Sequence, residues 1–142
     1  MASFEYLETV TTEEGEGQPA TFAQCLIHGR YDEEQPENLT INVEVKDDQG
    51  RHVHLEYLLS DDGAGFALKL VRTGEPLIDY GICVARKVGV AIAKAAIECY
   101  YDHPGNWYAF YVCMRGKAPA LGLRGARALI TCVFGIVGLD WD

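Results

Sequence analysis

The stretch Ile41–Tyr57, reading INVEVKDDQGRHVHLEY, decides the fold class. Ile41, Val43 and Val45 alternate with Asn42, Glu44 and Lys46, and Val53, Leu55 and Tyr57 alternate with His52, His54 and Glu56. A period of two puts one set on an apolar face of a strand and the other on a polar face. Asp47-Asp48-Gln49-Gly50 separates the two runs, a turn in which glycine supplies a positive φ. The expectation is an antiparallel hairpin with one face against a core and one against water.

Upstream, Phe4–Val10 (FEYLETV) and Thr21–His28 (TFAQCLIH) read as strands on either side of the glycine-rich acidic loop Thr11–Ala20. Downstream, Asp61-Asp62-Gly63-Ala64-Gly65 is a turn, and Phe66, Leu68 and Leu70 carry the alternation into a fifth strand. The period then becomes helical. Thr73 or Gly74 can cap, Glu75 and Pro76 suit a first turn, and Leu77 to Tyr101 runs on to a stop at Asp102-His103-Pro104-Gly105. Gly81, Ala85, Gly89 and Ala93 are four apart and form a flat stripe that lets another backbone approach closely, either the sheet beneath or a partner helix.

Trp107–Met114 (WYAFYVCM), aromatic and β-branched, reads as a sixth strand, with a turn at Arg115–Lys117 and a break at Pro119. Leu121–Gly138 is the last element. Ala126, Leu129, Val133 and Ile136 favour a helix there over a buried strand. The expected architecture is a single α+β domain over residues 1–142. It has a mostly antiparallel sheet of five or six strands, one long helix packed on one face, and a buried apolar C-terminal element.

Composition agrees with one folded domain: 142 residues with 49% hydrophobic and 23% charged side chains can bury a core. The net charge is −9, unevenly placed. Residues 1–62 hold 15 acidic and 3 basic side chains, net −12, whereas residues 63–142 hold 6 and 9, net +3. Such a body is repelled by phosphate backbones, so direct nucleic-acid binding is not expected, and a basic protein surface is the natural counterpart.

Five cysteines, Cys25, Cys83, Cys99, Cys113 and Cys132, form no C-x-x-C pair and sit in apolar surroundings. They read as buried, reduced thiols, and Met1–Thr12 lacks the basic and apolar regions of a signal peptide, so a cytoplasmic protein is expected. The longest apolar run, Ala128–Leu139, is too short to span a bilayer, and no membrane association is expected. Its two-sided apolar character suggests a homodimer seam.

No residue pattern identifies a catalytic centre. Ser3 and Ser60 lie outside any G-x-S-x-G elbow, and no cofactor motif occurs. His52, His54 and Glu56 share a strand face and could reach one metal ion, but they equally describe a wetted hairpin face, and no metal is assigned. Tyr101, Asn106, Trp107 and Tyr108 crowd a helix end and a turn, where tyrosine and tryptophan suit an interface anchor. With Asp47, Asp48, Asp61 and Asp62 they make the candidate protein-binding surface. The expected function is non-enzymatic: an inhibitor, immunity or chaperone-like accessory protein of bacteria or phages. Its acidic surface and aromatic turn would hold a basic partner such as a nucleic-acid-binding enzyme. The alternative is a pocket for a nucleotide-like anion at the helix end. Tyr100 and Trp107 would line it, and Arg124 and Arg127 of Gly122-Leu123-Arg124-Gly125-Ala126-Arg127 would hold the charge.

Overall fold

A computed structural model describes residues 2–11, 22–61, 66–73 and 79–134. Five strands, β1 (Ala2–Thr11), β2 (Phe22–Tyr31), β3 (Asn38–Asp47), β4 (His52–Asp61) and β5 (Phe66–Thr73), are followed by α1 (Asp79–Asp102) and α2 (Trp107–Phe134). The strands form one antiparallel meander in the order β1-β2-β3-β4-β5. The two helices run antiparallel on one face of it, α2 over β1, β2 and β3, and α1 over β4 and β5. The α+β expectation therefore holds.

The alternation read in the hairpin is the alternation of burial. Leu39, Ile41, Val43 and Val45 of β3 and Val53, Leu55, Tyr57 and Leu59 of β4 all point under the helices. Val43 faces Leu55 and Val45 faces Val53 across the ladder. The turn between these strands is tied by Asp47, which is only 8% exposed. Its Oδ1 accepts from the backbone N–H groups of Gln49 and Arg51 at 2.9 Å, and Oδ2 takes the Arg51 Nε–H at 2.7 Å. Gly50 supplies the positive φ, +81°.

Two segments depart from the sequence expectation. Thr73 is the last residue of β5, paired with Leu55, and the described helix begins at Asp79; the other capping candidates, Gly74, Glu75 and Pro76, lie outside the described residues. The larger correction concerns Trp107–Met114, which is the start of α2 and not a sixth strand. Local preference for strand was overridden by tertiary packing. Phe110, Tyr111, Met114, Ala118 and Leu121 recur at helical spacing, and all are buried. Asn106 starts the helix, its side-chain oxygen accepting from the Ala109 N–H at 3.1 Å and its carbonyl from the Phe110 N–H at 3.0 Å. Arg115–Lys117 and Pro119 continue the helix, with Pro119 on the exposed side, where the carbonyl it leaves unpaired can meet water. The helix favoured for the C-terminal segment is present as far as Phe134.

Glycines set how closely the layers approach. Gly125 passes over Cys25 and Gly122 over Glu8 and Tyr6, so α2 lies tight on β1 and β2. The small-residue stripe of α1 serves the same end: the Tyr57 ring lies against Gly89, and its hydroxyl donates to the Ala85 carbonyl at 2.8 Å. The reduced-thiol expectation is overturned. Cys83 is bonded to Cys132 and Cys99 to Cys113, and both bridges join α1 to α2; Cys25 is free and buried.

Burial pushes the Cys25 thiol up to about 12 and raises the Tyr57 phenol well above its ordinary 10.0. Both groups titrate higher in the fold than in the unfolded chain. Their contribution is therefore complete below the unfolded values, near 9 and 10, and is lost as pH rises beyond them. Thermal melts followed by circular dichroism should show Tm falling from about pH 9 upward, with Cys25→Ala moving that onset toward pH 10.

Candidate functional site

The topology gathers the chain's connections at two ends. At one end lie the start of β1, the loop 32–37, the end of β4 and the turn 103–106 between the helices; at the other lie the β3–β4 turn and the end of α2. Ten residues of β3 separate them, about 30 Å of extended chain.

The helix-turn end is built on aromatic rings. Tyr100, Phe66, Phe110 and Trp107 pack in a ring of contacts with centroids 5.4–6.0 Å apart. Phe4, Tyr31, Tyr111 and Tyr108 continue the bed across β1 and β2 at 5.2–6.4 Å. Tilted and edge-on pairs at these spacings each add to the apolar burial and fix one another's rotamers. On this bed sit Tyr101, 75% exposed with its ring against Tyr100, and Tyr108, 63% exposed. Asn106 is exposed between them as the helix cap, and Trp107 is half-buried.

Carboxylates surround this end. Asp61 Oδ2 accepts the Tyr100 hydroxyl at 3.1 Å, and that bond, with burial and the carboxylate charge, raises the Tyr100 phenol above its ordinary value. Asp32 accepts from the Glu34 N–H at 2.9 Å and shapes the loop, while Glu33, Glu34 and Glu37 point to solvent. Burial and then the charge of Glu33 raise Tyr31. Asp102 is exposed where α1 ends.

The sequence-based surface is thus divided. Tyr101, Asn106, Trp107, Tyr108 and Asp61 share one end, and Asp62 lies outside the described residues. Asp47 and Asp48 are at the other end, and Asp47 is committed to its own turn. The alternative pocket does not assemble. Tyr100 and Trp107 line the aromatic bed, but Arg124 and Arg127 stand about 25–30 Å further along α2. Gly122–Arg127 lies within the helix, so its amides are not an open N-terminus.

His52, His54 and Glu56 face outward on β4 as read, with His52 Nε2 3.1 Å from Glu44 Oε1. Among the described residues no group of three or more His, Cys, Asp and Glu is placed to hold a metal ion. The same outer face carries a shallow trough of about 360 Å³ where Glu5, His28 and Arg30 join Asn42, Glu44, His54 and Glu56. Sequence reasoning saw only the β3 and β4 part of it, because the neighbours from β1 and β2 depend on strand order. No described helix is long and apolar enough to cross a membrane. Of the run Ala128–Leu139 that suggested self-association, Ala128, Leu129 and Ile130 are buried within one chain, and residues 135–139 lie outside the described residues; among the described residues, large exposed apolar side chains include Ile82, Val90 and Ile97 on α1 and Leu7, Phe22 and Leu70 on the sheet.

Comparison with known families, with curated proteins and with solved structures finds no match.

Proposed function

We propose that the chain is a non-enzymatic protein-binding protein whose docking surface is the helix-turn end and whose partner presents a basic surface. The observation that carries this reading is the exposure of Tyr101 and Tyr108 on a packed aromatic bed. Large apolar rings held rigidly in water are costly to leave uncovered. They are also inexpensive to bury, because little rotamer freedom remains to be lost. Around them, Glu33, Glu34, Glu37 and Asp102 form a carboxylate rim that would steer a cationic partner and fix its orientation. Inhibition, immunity or chaperoning of a basic enzyme, including one that handles nucleic acid, fits that chemistry.

The disulfides bear on where this happens. Two bridges between the helices favour a compartment in which disulfides persist over the cytoplasm that reduced thiols implied.

The test places a photo-cross-linking amino acid at position 108, at position 101, or at position 49 in the opposite turn, in cells that make the protein. Adducts to one protein at 101 and 108 and none at 49, with yield falling as salt rises in the lysate, support the reading. Equal adducts at 49, or none at 101 and 108, reject it.

A further inference from the structure

We propose that docking at the helix-turn end is licensed by oxidation: only the chain with the Cys99–Cys113 bond closed presents Tyr101 and Tyr108 as one rigid surface. This inference rests on the docking reading above and adds its regulation. The bond joins the last turn of α1 to the second turn of α2, across a sequence separation of 14. Between its cysteines lie both exposed rings, the turn 103–106, and three rings of the aromatic bed, Tyr100, Trp107 and Phe110. Tyr101 stands 75% exposed in the last turn of α1, and Tyr108 stands 63% exposed in the first turn of α2. The backbone between them is held by single hydrogen bonds, His103 N–H to the Cys99 carbonyl at 3.1 Å and Asn106 N–H to the His103 carbonyl at 3.2 Å. Helix ends of this kind open locally at low cost. A covalent closure removes most of the opened conformations, and rings already fixed in place lose less freedom when a partner covers them.

The second bond, Cys83–Cys132, lies at the other end of the helix pair, about 24 Å away along α1. It closes the longer loop, with a sequence separation of 49, and so contributes more to global stability while standing far from the exposed rings. One bond holds the helix pair together, and the other holds the docking end in shape. Cys99 is fully buried and Cys113 half-buried, so exchange with a small disulfide donor begins at Cys113. The Cys113 thiolate attacks one sulfur of the donor, forming a mixed disulfide and expelling one donor thiolate. The Cys99 thiolate then attacks the Cys113 Sγ, closing the bond and releasing the second donor thiolate. Two protein thiols become one disulfide, and the donor takes up two electrons and two protons.

The test compares wild type, Cys83→Ala/Cys132→Ala and Cys99→Ala/Cys113→Ala, each purified with a photo-cross-linking residue at position 108. Each is reduced, reoxidised with oxidised glutathione, and irradiated in a lysate of the cells that make the protein. Cys83→Ala/Cys132→Ala should keep its adduct yield within about twofold of wild type, and Cys99→Ala/Cys113→Ala should lose about fivefold or more. Left reduced, wild type and Cys83→Ala/Cys132→Ala should both lose their adducts, and oxidised glutathione should restore them. Amide hydrogen exchange over residues 100–112 should quicken more in Cys99→Ala/Cys113→Ala than in Cys83→Ala/Cys132→Ala, although the latter loses more global stability. An undiminished yield in Cys99→Ala/Cys113→Ala, or a larger loss in Cys83→Ala/Cys132→Ala, would overturn the licensing and leave the docking reading standing. Absence of adducts in oxidised wild type rejects the docking reading itself, a result told apart from the others because it needs no variant.

Discussion

Replacing both disulfide pairs by alanine is expected to leave the fold marginal. The Cys99–Cys113 bridge closes a span of 14 residues and Cys83–Cys132 one of 49. Loop-closure entropy puts their separate contributions at about 3 and about 4 kcal/mol. The inner bridge lies within the outer loop and shortens it, so the two together should contribute slightly less than their sum. A domain of this size holds roughly 5–15 kcal/mol in all, so losing both removes a large part of it. Urea denaturation of Cys83→Ala/Cys132→Ala and of Cys99→Ala/Cys113→Ala should show the first pair costing more, and the fourfold variant should be partly unfolded without denaturant. Equal midpoints for wild type and both pair variants would show that the bridges do not hold the helices together. Mass analysis after alkylation gives an independent check, with one reactive thiol, Cys25, appearing only on unfolding.

Gly29→Ala should be nearly as damaging, although it adds a single methyl group. Gly29 faces Phe4 across the β1–β2 ladder, and the Phe4 ring lies directly over the glycine, where a Cβ would stand. The ring cannot withdraw at low cost, because Phe4 is buried and packs on Tyr111 at 5.8 Å. Expelling it would forfeit most of a buried phenylalanine, about 3–5 kcal/mol. The double variant Phe4→Ala/Gly29→Ala should then be little worse than Phe4→Ala alone, a coupling that equilibrium denaturation measures directly. If the two costs simply add, the glycine matters for some reason other than the ring above it. Phe4 also belongs to the aromatic bed that reaches Tyr108, so Gly29→Ala should loosen the proposed docking end even where the protein remains folded.

The sheet was legible because its signal is local. Alternation at Ile41–Val45 and Val53–Tyr57 with a glycine turn between them specifies a hairpin from one window of sequence. Trp107–Met114 was misread because its aromatic and β-branched content speaks for a strand. Its helical spacing becomes visible only when Phe110, Tyr111 and Met114 are extended to Ala118 and Leu121, past a proline that reads as a stop. The disulfides were hidden for a related reason: Cys83 and Cys132 meet only if both segments are helices lying antiparallel. The aromatic turn was legible as a cluster in sequence, but the exposure of Tyr101 and Tyr108 was not, because it depends on which rings the sheet covers. Asp47 was misplaced because an aspartate that ties a turn and an aspartate that faces a partner look alike in sequence.

The order of elements along the chain has a consequence for biosynthesis. All five strands precede both helices, so a ribosome delivers the whole sheet before the helices that cover its apolar face. Ile27, Leu39, Ile41, Val43 and Leu55 stay uncovered while residues 74–134 are made, about 3–12 s at ordinary elongation rates. During that interval the nascent chain is an open sheet with one apolar side, the form most prone to pair with a neighbour. All four bridged cysteines lie in the late-arriving helices, and the outer bridge, Cys83–Cys132, can close only once both helices have been made. Productive folding should therefore depend on a chaperone that shields the sheet during translation, and on an oxidant that acts after release.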